Sequence, residues 1–530
     1  MAFFRAESRA LAQRDETVSS PRKLVLQGRI ATLDANGRVV PEGYVCIDND
    51  VIAAVVAIEN GIPAAFAQAP RVQTTGTIYP GLVELHNHPA YNEVPLWSVP
   101  KRYPNRDEWM KDPLYIRQVR NPATILTHHP QEIYPKSVAR FVESRALLGG
   151  VTTTQGLTFS SLGNTVDYYR GLVRIVEFAY GPNWPTANDH IPNFTSFSSF
   201  QQYYAPLMNQ PLTRAIMHLC EGTDQGTRQL FTNLIDPSGQ PLIGSNLIAI
   251  HGTALREAEF SSLKLAGGLI WSPTSNFLLY GETTDVKTAI ASGVVVAIGC
   301  DWTPSGTKNL LGELKIAKLT SAQLGGLFTD EQLVRMVTTI PAKMMGWDQF
   351  LGSVEVGKQA DLLVIGKKDG DPYSALIAST ESDVAAVLIG GRVRAGRASL
   401  VDPGTPDVEL IHVAKQSMVL DLVNGPGDPL AKITLQGAIA TLSYALEHLP
   451  DLTETFKEGH AELRGTSGRF RIQLEVGEPE ALAAVSGDSP IGPGDVDRMA
   501  LDPITAVDDS TFNNRLKKNI NLPQWLKDEL

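Results

Sequence analysis

The feature that most constrains this chain is a series of short apolar runs between Tyr79 and Trp347, separated by helix-length stretches. Seven are plain: GLVELHNH, GVTTTQG, LVRIVEF, RAIMHLC, NLIAIHG, GGLIWSP and VVVAIGCD. Runs such as VVVAIG are apolar at consecutive positions, the pattern of parallel strands covered on both faces. FTSFSSF, at 194–200, is the weak eighth. Strands alternating with helices predict an α/β fold, and eight of them predict a closed (β/α)8 TIM-like barrel over 79–348.

The flanks have another texture. KLVLQGRIATLD and YVCIDNDVIAAVVAI, within 22–78, alternate around turn residues such as Asn36-Gly37. GSVEVGKQADLLVIG and AAVLIGGRVRAG do the same within 349–402. Both read as pieces of one small β-sandwich interrupted by the barrel. Gly352 to Lys358 nearly spells a phosphate-binding loop, but Gln359 stands where Ser or Thr would bind magnesium, and a strand follows rather than a helix. Residues 1–21 read as a tail. Residues 403–530 form a C-terminal extension in which ITLQGAIATLSYALEHL has helical apolar periodicity, which makes homo-oligomerisation an expectation. The stretch from Pro89 to Pro135 is rich in Pro and aromatics (Trp97, Tyr103, Trp109, Tyr115, Tyr134) and reads as a structured cover over a pocket.

Bulk properties narrow the partners. There is no apolar run of 18 residues, and the charged N-terminal stretch is not that of a secretory signal. Three cysteines in 530 residues do not make a disulfide framework. A cytoplasmic protein is expected. The net charge of −11, with no basic stripe, argues against nucleic acid and anionic membranes and for a small, neutral or cationic substrate.

Polar residues of one kind gather at the ends of the apolar runs. His86 and His88, two apart on a strand, project to the same side and precede Pro89. His218 ends another run, His251 a third, and Asp301 follows VVVAIGC. Glu221 lies three residues beyond His218, where strict alternation would turn it away, but Gly222 lets the chain curl back. Most of the other histidines (His128, His129, His190, His412, His448, His460) are expected outside strand ends. Barrel enzymes carry their chemistry at the C-terminal mouth, so this set marks a candidate site.

The order His-x-His, His-x-x-Glu, His-Gly, Gly-Cys-Asp resembles the amidohydrolase superfamily, in particular its cytosine-deaminase and chlorohydrolase-like branch. HLCEGTD, IHGTAL, WSPTSNFLLYG and DWTPSGTKNLLGELKIA extend the resemblance, as do IYPGLVELHNHP and the GSVEVGKQADLLVI tail, over about residues 22–400. The resemblance implies that His86, His88, His218 and Asp301 ligate one divalent metal, with zinc expected and iron(II) the alternative. It implies that Glu221 shuttles protons, that His251 steadies the developing oxyanion, and that Asp301 also draws a proton from the attacking water. No lysine lies between Val151 and Met217, so the lysine-bridged metal pair of many relatives is excluded. Glu177 remains a weaker candidate bridge. Cys220 and Cys300 read as packing residues. Trp271, Asn276, Tyr280, Trp302 and Ser305 follow barrel strands and are candidate pocket residues.

The implied activity is hydrolytic deamination of a small N-heterocycle by a metal-activated water. Hydrolysis of an amide, lactam or carbon–halogen bond with the same site is the alternative, and a catalytically silent metal-binding scaffold is a third reading.

Overall fold

The computed structural model describes residues 22–160, 166–400, 408–425, 427–462 and 470–530. The expected tail at 1–21 lies outside them, as does the side chain of His460. The architecture is α/β, with one large mixed sheet and two parallel sheets.

In the first flank, β1 (Lys23–Ala31), β2 (Val39–Asp48), β3 (Val51–Ala57) and β4 (Arg71–Pro80) form one side of the mixed sheet. The middle of the chain then supplies β5 (Leu82–Val83), β6 (Val151–Thr154), the hairpin β7 (Thr158–Ser160) and β8 (Val166–Tyr168), β9 (Arg174–Ile175) and β10 (Thr186–His190). It continues with β11 (Thr213–Leu219), β12 (Leu247–His251), β13 (Gly268–Trp271) and β14 (Val296–Ile298). After it, β15 (Leu362–Ile365) pairs antiparallel with β4, so the sequence-distant flanks join in one sheet. That sheet continues through β16 (Val384–Ile389), β17 (Arg392–Arg397), β18 (Glu409–Val413) and β19 (Gln416–Leu420), running past residue 402 into the stretch read as extension.

The parallel strands are ordered β5-β6-β9 in one sheet and β10-β11-β12-β13-β14 in the other. Two sets of backbone hydrogen bonds bridge them. Ala187 N donates to Val176 O at 2.7 Å, next to β9 and β10. At the other margin Asp301 N donates to His86 O (3.0 Å) and His88 N to Asp301 O (2.7 Å). Every residue of β12, β13 and β14 is buried, which is why their sequences are continuously apolar.

One strand was misplaced by sequence. FTSFSSF enters the helix Phe197–Met208, where Ser196 caps the first turn by accepting from Ser199 N, and Phe200 and Tyr204 share the buried face. The strand at that point in the chain is β10, whose half-exposed TANDH carries no apolar signal. His190, expected away from strand ends, closes β10.

The cover segment folds into short helices with all five of its named aromatics buried. The C-terminal helix Leu435–Glu447 packs on the helix Ile133–Leu148, with Leu435, Ala438, Leu442, Ala445 and Leu446 buried and Arg140 donating to the carbonyls of Ile433 and Leu430 at 2.8 Å. Its apolar face is therefore occupied within the chain. Lys308, seven residues after Asp301, donates to Asp509 at 2.8 Å and fastens the end of the chain to the middle. Among the described residues no helix is long and apolar enough to cross a membrane.

Candidate metal centre

The C-terminal ends of β5, β11, β12 and β14 bring five polar side chains to one place. Three of the strand ends turn through backbone that L-residues avoid: Cys220 has φ 49°, His251 φ 63° and Asp301 φ 69°. Such conformers cost about 1–3 kcal/mol each and persist where surrounding contacts impose them. At His251 one such contact is Thr284, whose hydroxyl donates to the His251 carbonyl at 2.6 Å. The turn at Cys220, followed by Gly222 at φ 151°, is the curl that swings Glu221 back over the mouth.

The result is a compact donor set. His88 Nε2 lies 3.3 Å from His218 Nε2, and Asp301 Oδ1 lies 3.4 Å from His86 Nε2 and 3.5 Å from His88 Nε2. The ligating atoms of His86, His88 and Asp301 are all within 4.8 Å of one another, and so are those of His86, His218 and His251. His251 thus stands within ligating reach as well. Its Nε2 is 3.7 Å from Glu221 Oε2 and 4.0 Å from Asp301 Oδ2.

Burial drives the rings to their neutral form. It holds His86 and His218 well below the ordinary imidazole range, helped by the neighbouring histidines, and takes His88 down to about 3. His251 is lowered by burial, against the pull of Glu221. Neutral imidazoles with converging lone pairs are what a divalent ion requires. His86 Nδ1 is held by Ser272 Oγ at 2.7 Å, while its Nε2, fully buried, has no hydrogen-bond partner. A buried nitrogen without a partner is costly unless something fills the space between the rings. Burial also pushes the Asp301 carboxyl well above its usual range, with Glu221 adding to the effect; a cation relieves both. The residues fit a mononuclear site.

The surrounding shell fixes orientation. Ser275 Oγ donates to Asp301 Oδ2 at 2.6 Å, and Asn276 Nδ2 donates to His251 Nδ1 at 3.1 Å. Tyr280 donates its hydroxyl proton to Glu221 Oε1 at 2.6 Å and accepts from Trp109 Nε1 at 2.8 Å. Trp302 packs edge-on to His88, with ring centres 5.7 Å apart, and donates to Ser305, which in turn meets Ser275. Trp271 donates to Thr283, which also contacts Asn276.

A cavity of about 670 Å³ reaches His88 and His218. Trp271, Asn276, Tyr280, Trp302 and Ser305, expected as pocket residues, are buried beside these polar side chains. Glu177 is 8% exposed and accepts from Gly156 N, with Asp189 as its charged neighbour. Cys220 and Cys300 are free, buried thiols.

Sequence reasoning missed Arg106. This residue of the cover segment is buried, lines the cavity and places Nη1 3.3 Å from Glu221 Oε2. No periodic signal singles it out. Ser272 and Ser275 were also missed, although both lie in the WSPTSN block directly after β13.

Residues 220–394 match the amidohydrolase family. The chain is similar to a 5-methylthioadenosine/S-adenosylhomocysteine deaminase of Syntrophobacter fumaroxidans, 26% identical over 414 residues, which span 70% of this chain and 92% of that protein. A protein of the same name from Moorella thermoacetica is 24% identical over 417 residues, spanning 71% and 94%. Among solved structures, E. coli guanine deaminase superposes with a TM-score of 0.54 at 19% identity, over 70% of this chain and 98% of that one. Atrazine chlorohydrolase from Arthrobacter aurescens, complexed with zinc, gives 0.53 at 18%, over 70% and 95%. The likeness to these structures is one of fold.

Proposed function

We propose that this chain, which resembles the amidohydrolase superfamily in its motifs and matches the amidohydrolase family over residues 220–394, is a metal-dependent hydrolase that deaminates an adenine-type N-heterocycle. The observation that carries the reading is the convergence of His86, His88 and Asp301 within 4.8 Å, with His218 Nε2 3.3 Å from His88 Nε2 and Glu221 and His251 beside them. The deaminase names of the relatives support the reaction and suggest the ring.

In this reading His86, His88, His218 and Asp301 hold one divalent ion, zinc by the chemistry of three nitrogens and one carboxylate. Bound there, the ion supplies a water acidic enough to be hydroxide-like near neutral pH. The side chains do the rest. Asp301 accepts one proton of the attacking water. Glu221 protonates the ring nitrogen beside the carbon that bears the amine, which makes that carbon electrophilic. Glu221, now a carboxylate, takes the remaining proton from the added oxygen and passes it to the amine, which leaves as ammonia as the carbon–nitrogen bond breaks; the ring keeps the oxygen as a carbonyl, and the proton held by Asp301 returns to Glu221. His251 donates toward the developing negative oxygen. Arg106 and Tyr280 keep the Glu221 carboxylate aimed at the ring.

We further infer that the two parallel sheets close into one eight-stranded barrel, with 22–78 and 349–402 as a companion unit. The bonds from Ala187 to Val176 and between Asp301 and the His86–His88 segment, at the two open margins, support closure.

The test is ammonia release from adenine nucleosides, other purines, pyrimidines and triazines, with metal content measured on the same sample. Ammonia from at least one purine, with about one equivalent of metal, is expected. Opening of amides or lactams with no ammonia from any ring would overturn the deaminase reading, and a metal-free, inert protein would leave the scaffold.

A further inference from the structure

Two segments carry three of the four proposed ligands: His86 and His88 follow β5, and Asp301 follows β14. The segments lie in backbone contact, with Asp301 N on His86 O and His88 N on Asp301 O. A side chain at residue 299 would bring its Cβ within 2.7 Å of the His86 Cβ, so only glycine fits there.

One buried carboxylate spans this seam. Glu84, two residues before His86, accepts from Cys300 N through Oε1 at 3.0 Å and from Asn87 Nδ2 through Oε2 at 2.8 Å. Cys300 precedes Asp301, and Asn87 separates the two histidines, so Glu84 grips each segment at a residue next to a ligand. Asn87 carries the connection onward. Its Oδ1 accepts from Asn92 Nδ2 at 2.8 Å, and Asn92 Oδ1 accepts from the backbone N–H and the hydroxyl of Thr303 at 2.9 and 3.0 Å. Thr303 lies two residues beyond Asp301, so the hydrogen bonds close a ring around the seam. Glu84, Asn92 and Thr303 are buried, where a bond left unmade is not replaced by water.

The position calls for a carboxylate. Cys300 N and Asn87 Nδ2 are both donors, and the two oxygens of Glu84 accept one each. A glutamine of the same shape offers one acceptor and one donor, and so sets an NH2 group against an N–H.

We propose that Glu84 is a positioning residue for the metal: by clamping Asn87 and Cys300 it holds His86, His88 and Asp301 at ligating distance before the ion arrives, and so sets the affinity of the site. The inference rests on the reading that these side chains bind one divalent ion. A donor set already in place loses less order on binding, and partners one step behind metal ligands are worth about tenfold to a hundredfold in affinity.

The test titrates the metal-free, full-length protein with zinc against a competing chelator, and with cobalt(II), whose visible absorption reports coordination geometry. Glu84→Gln should bind zinc about tenfold to a hundredfold more weakly and alter the cobalt bands. Asn87→Ala should weaken zinc binding in the same direction, and it serves if the first variant fails to fold. The double variant Glu84→Gln/Asn87→Asp reverses the polarity of the clamp. The new glutamine donates to the new aspartate and accepts from Cys300 N, while the second aspartate oxygen accepts from Asn92. The three bonds are remade with the charge conserved, so most of the lost affinity should return. Thermal melts of the metal-free proteins separate this role from one in folding alone, which would lower the melting temperature and leave the zinc affinity of the folded protein unchanged. Unchanged affinity in both single variants, or a double variant no better than Glu84→Gln, overturns the proposal. The two readings fail separately. An unmodified protein that binds neither zinc nor cobalt overturns the metal reading and the clamp with it, whereas equally tight binding by the unmodified protein and the variants overturns the clamp alone.

Discussion

Arg106 and Glu221, 115 positions apart in the chain, are buried against each other with Nη1 3.3 Å from Oε2. One comes from the cover segment and the other from the curl after β11. The contact ties the cover segment to the carboxylate proposed above as the acid–base group. Arg106→Gln should therefore lower kcat about ten- to a hundredfold with metal content unchanged, and Arg106→Lys should recover part of it. Steady-state kinetics beside metal analysis decides; loss of metal in Arg106→Gln would place the arginine in ligand support instead.

Glu221→Gln keeps the shape of the side chain and removes its proton traffic. Turnover is expected to fall about a hundred- to ten-thousand-fold while the metal stays bound. A variant that loses its metal would mean that Glu221 is a ligand.

Asp301→Asn tests the opposite assignment. The substitution takes the one carboxylate out of the proposed ligand set and leaves Ser275 without its charged acceptor. Metal content should drop, and activity should fall by several orders of magnitude at an unchanged circular dichroism spectrum. Full metal occupancy with normal turnover would dismiss the donor set described above.

Glu475 gives a pH signature. Burial, with Asp189 and Glu478 as like-charged neighbours, pushes its carboxyl up to about 8, above the unfolded value of 4.5. Between those limits the folded chain holds the proton more tightly than the unfolded chain, so this group's contribution to stability is complete below about pH 4.5 and is lost as pH rises through about 8. Glu475→Gln cannot ionise. Its melting temperature should gain on that of the unmodified protein as pH goes from 5 to 9. Thermal melts across that interval check the sign, and a difference moving the other way refutes it.

The C-terminal helix makes a packing prediction. Leu442 is fully buried between Leu435–Glu447 and the remainder of the core. Leu442→Ala should cost about 2–5 kcal/mol, as large-to-small core changes do, read from denaturant unfolding. A cost near zero would mean that the helix is not docked as described.

The polar residues at the strand ends were legible in the sequence because each follows a run apolar enough to be recognised locally. His86, His88, His218, His251 and Asp301 needed only that pattern and the side-chain alternation of a strand. Glu221 was readable through Gly222, a residue whose freedom advertises a turn. The β10 strand was not legible: TANDH is half exposed, so nothing apolar marks it, and the helix beginning at Phe197 imitated a strand through its aromatics.

What the sequence by itself determined is thus the kind of chemistry: a parallel α/β framework with nitrogen and carboxylate donors at the ends of its strands. The tertiary structure alone decided which side chains hydrogen-bond to those donors and which line the neighbouring cavity. Asn276 and Tyr280 came to hydrogen-bond His251 and Glu221, while Arg106 and Glu475, from segments with no periodic signature, came to line the cavity. The reason is physical. Strand periodicity is a local property written in neighbouring residues, whereas a pocket wall is assembled from loops whose positions follow from packing across hundreds of residues.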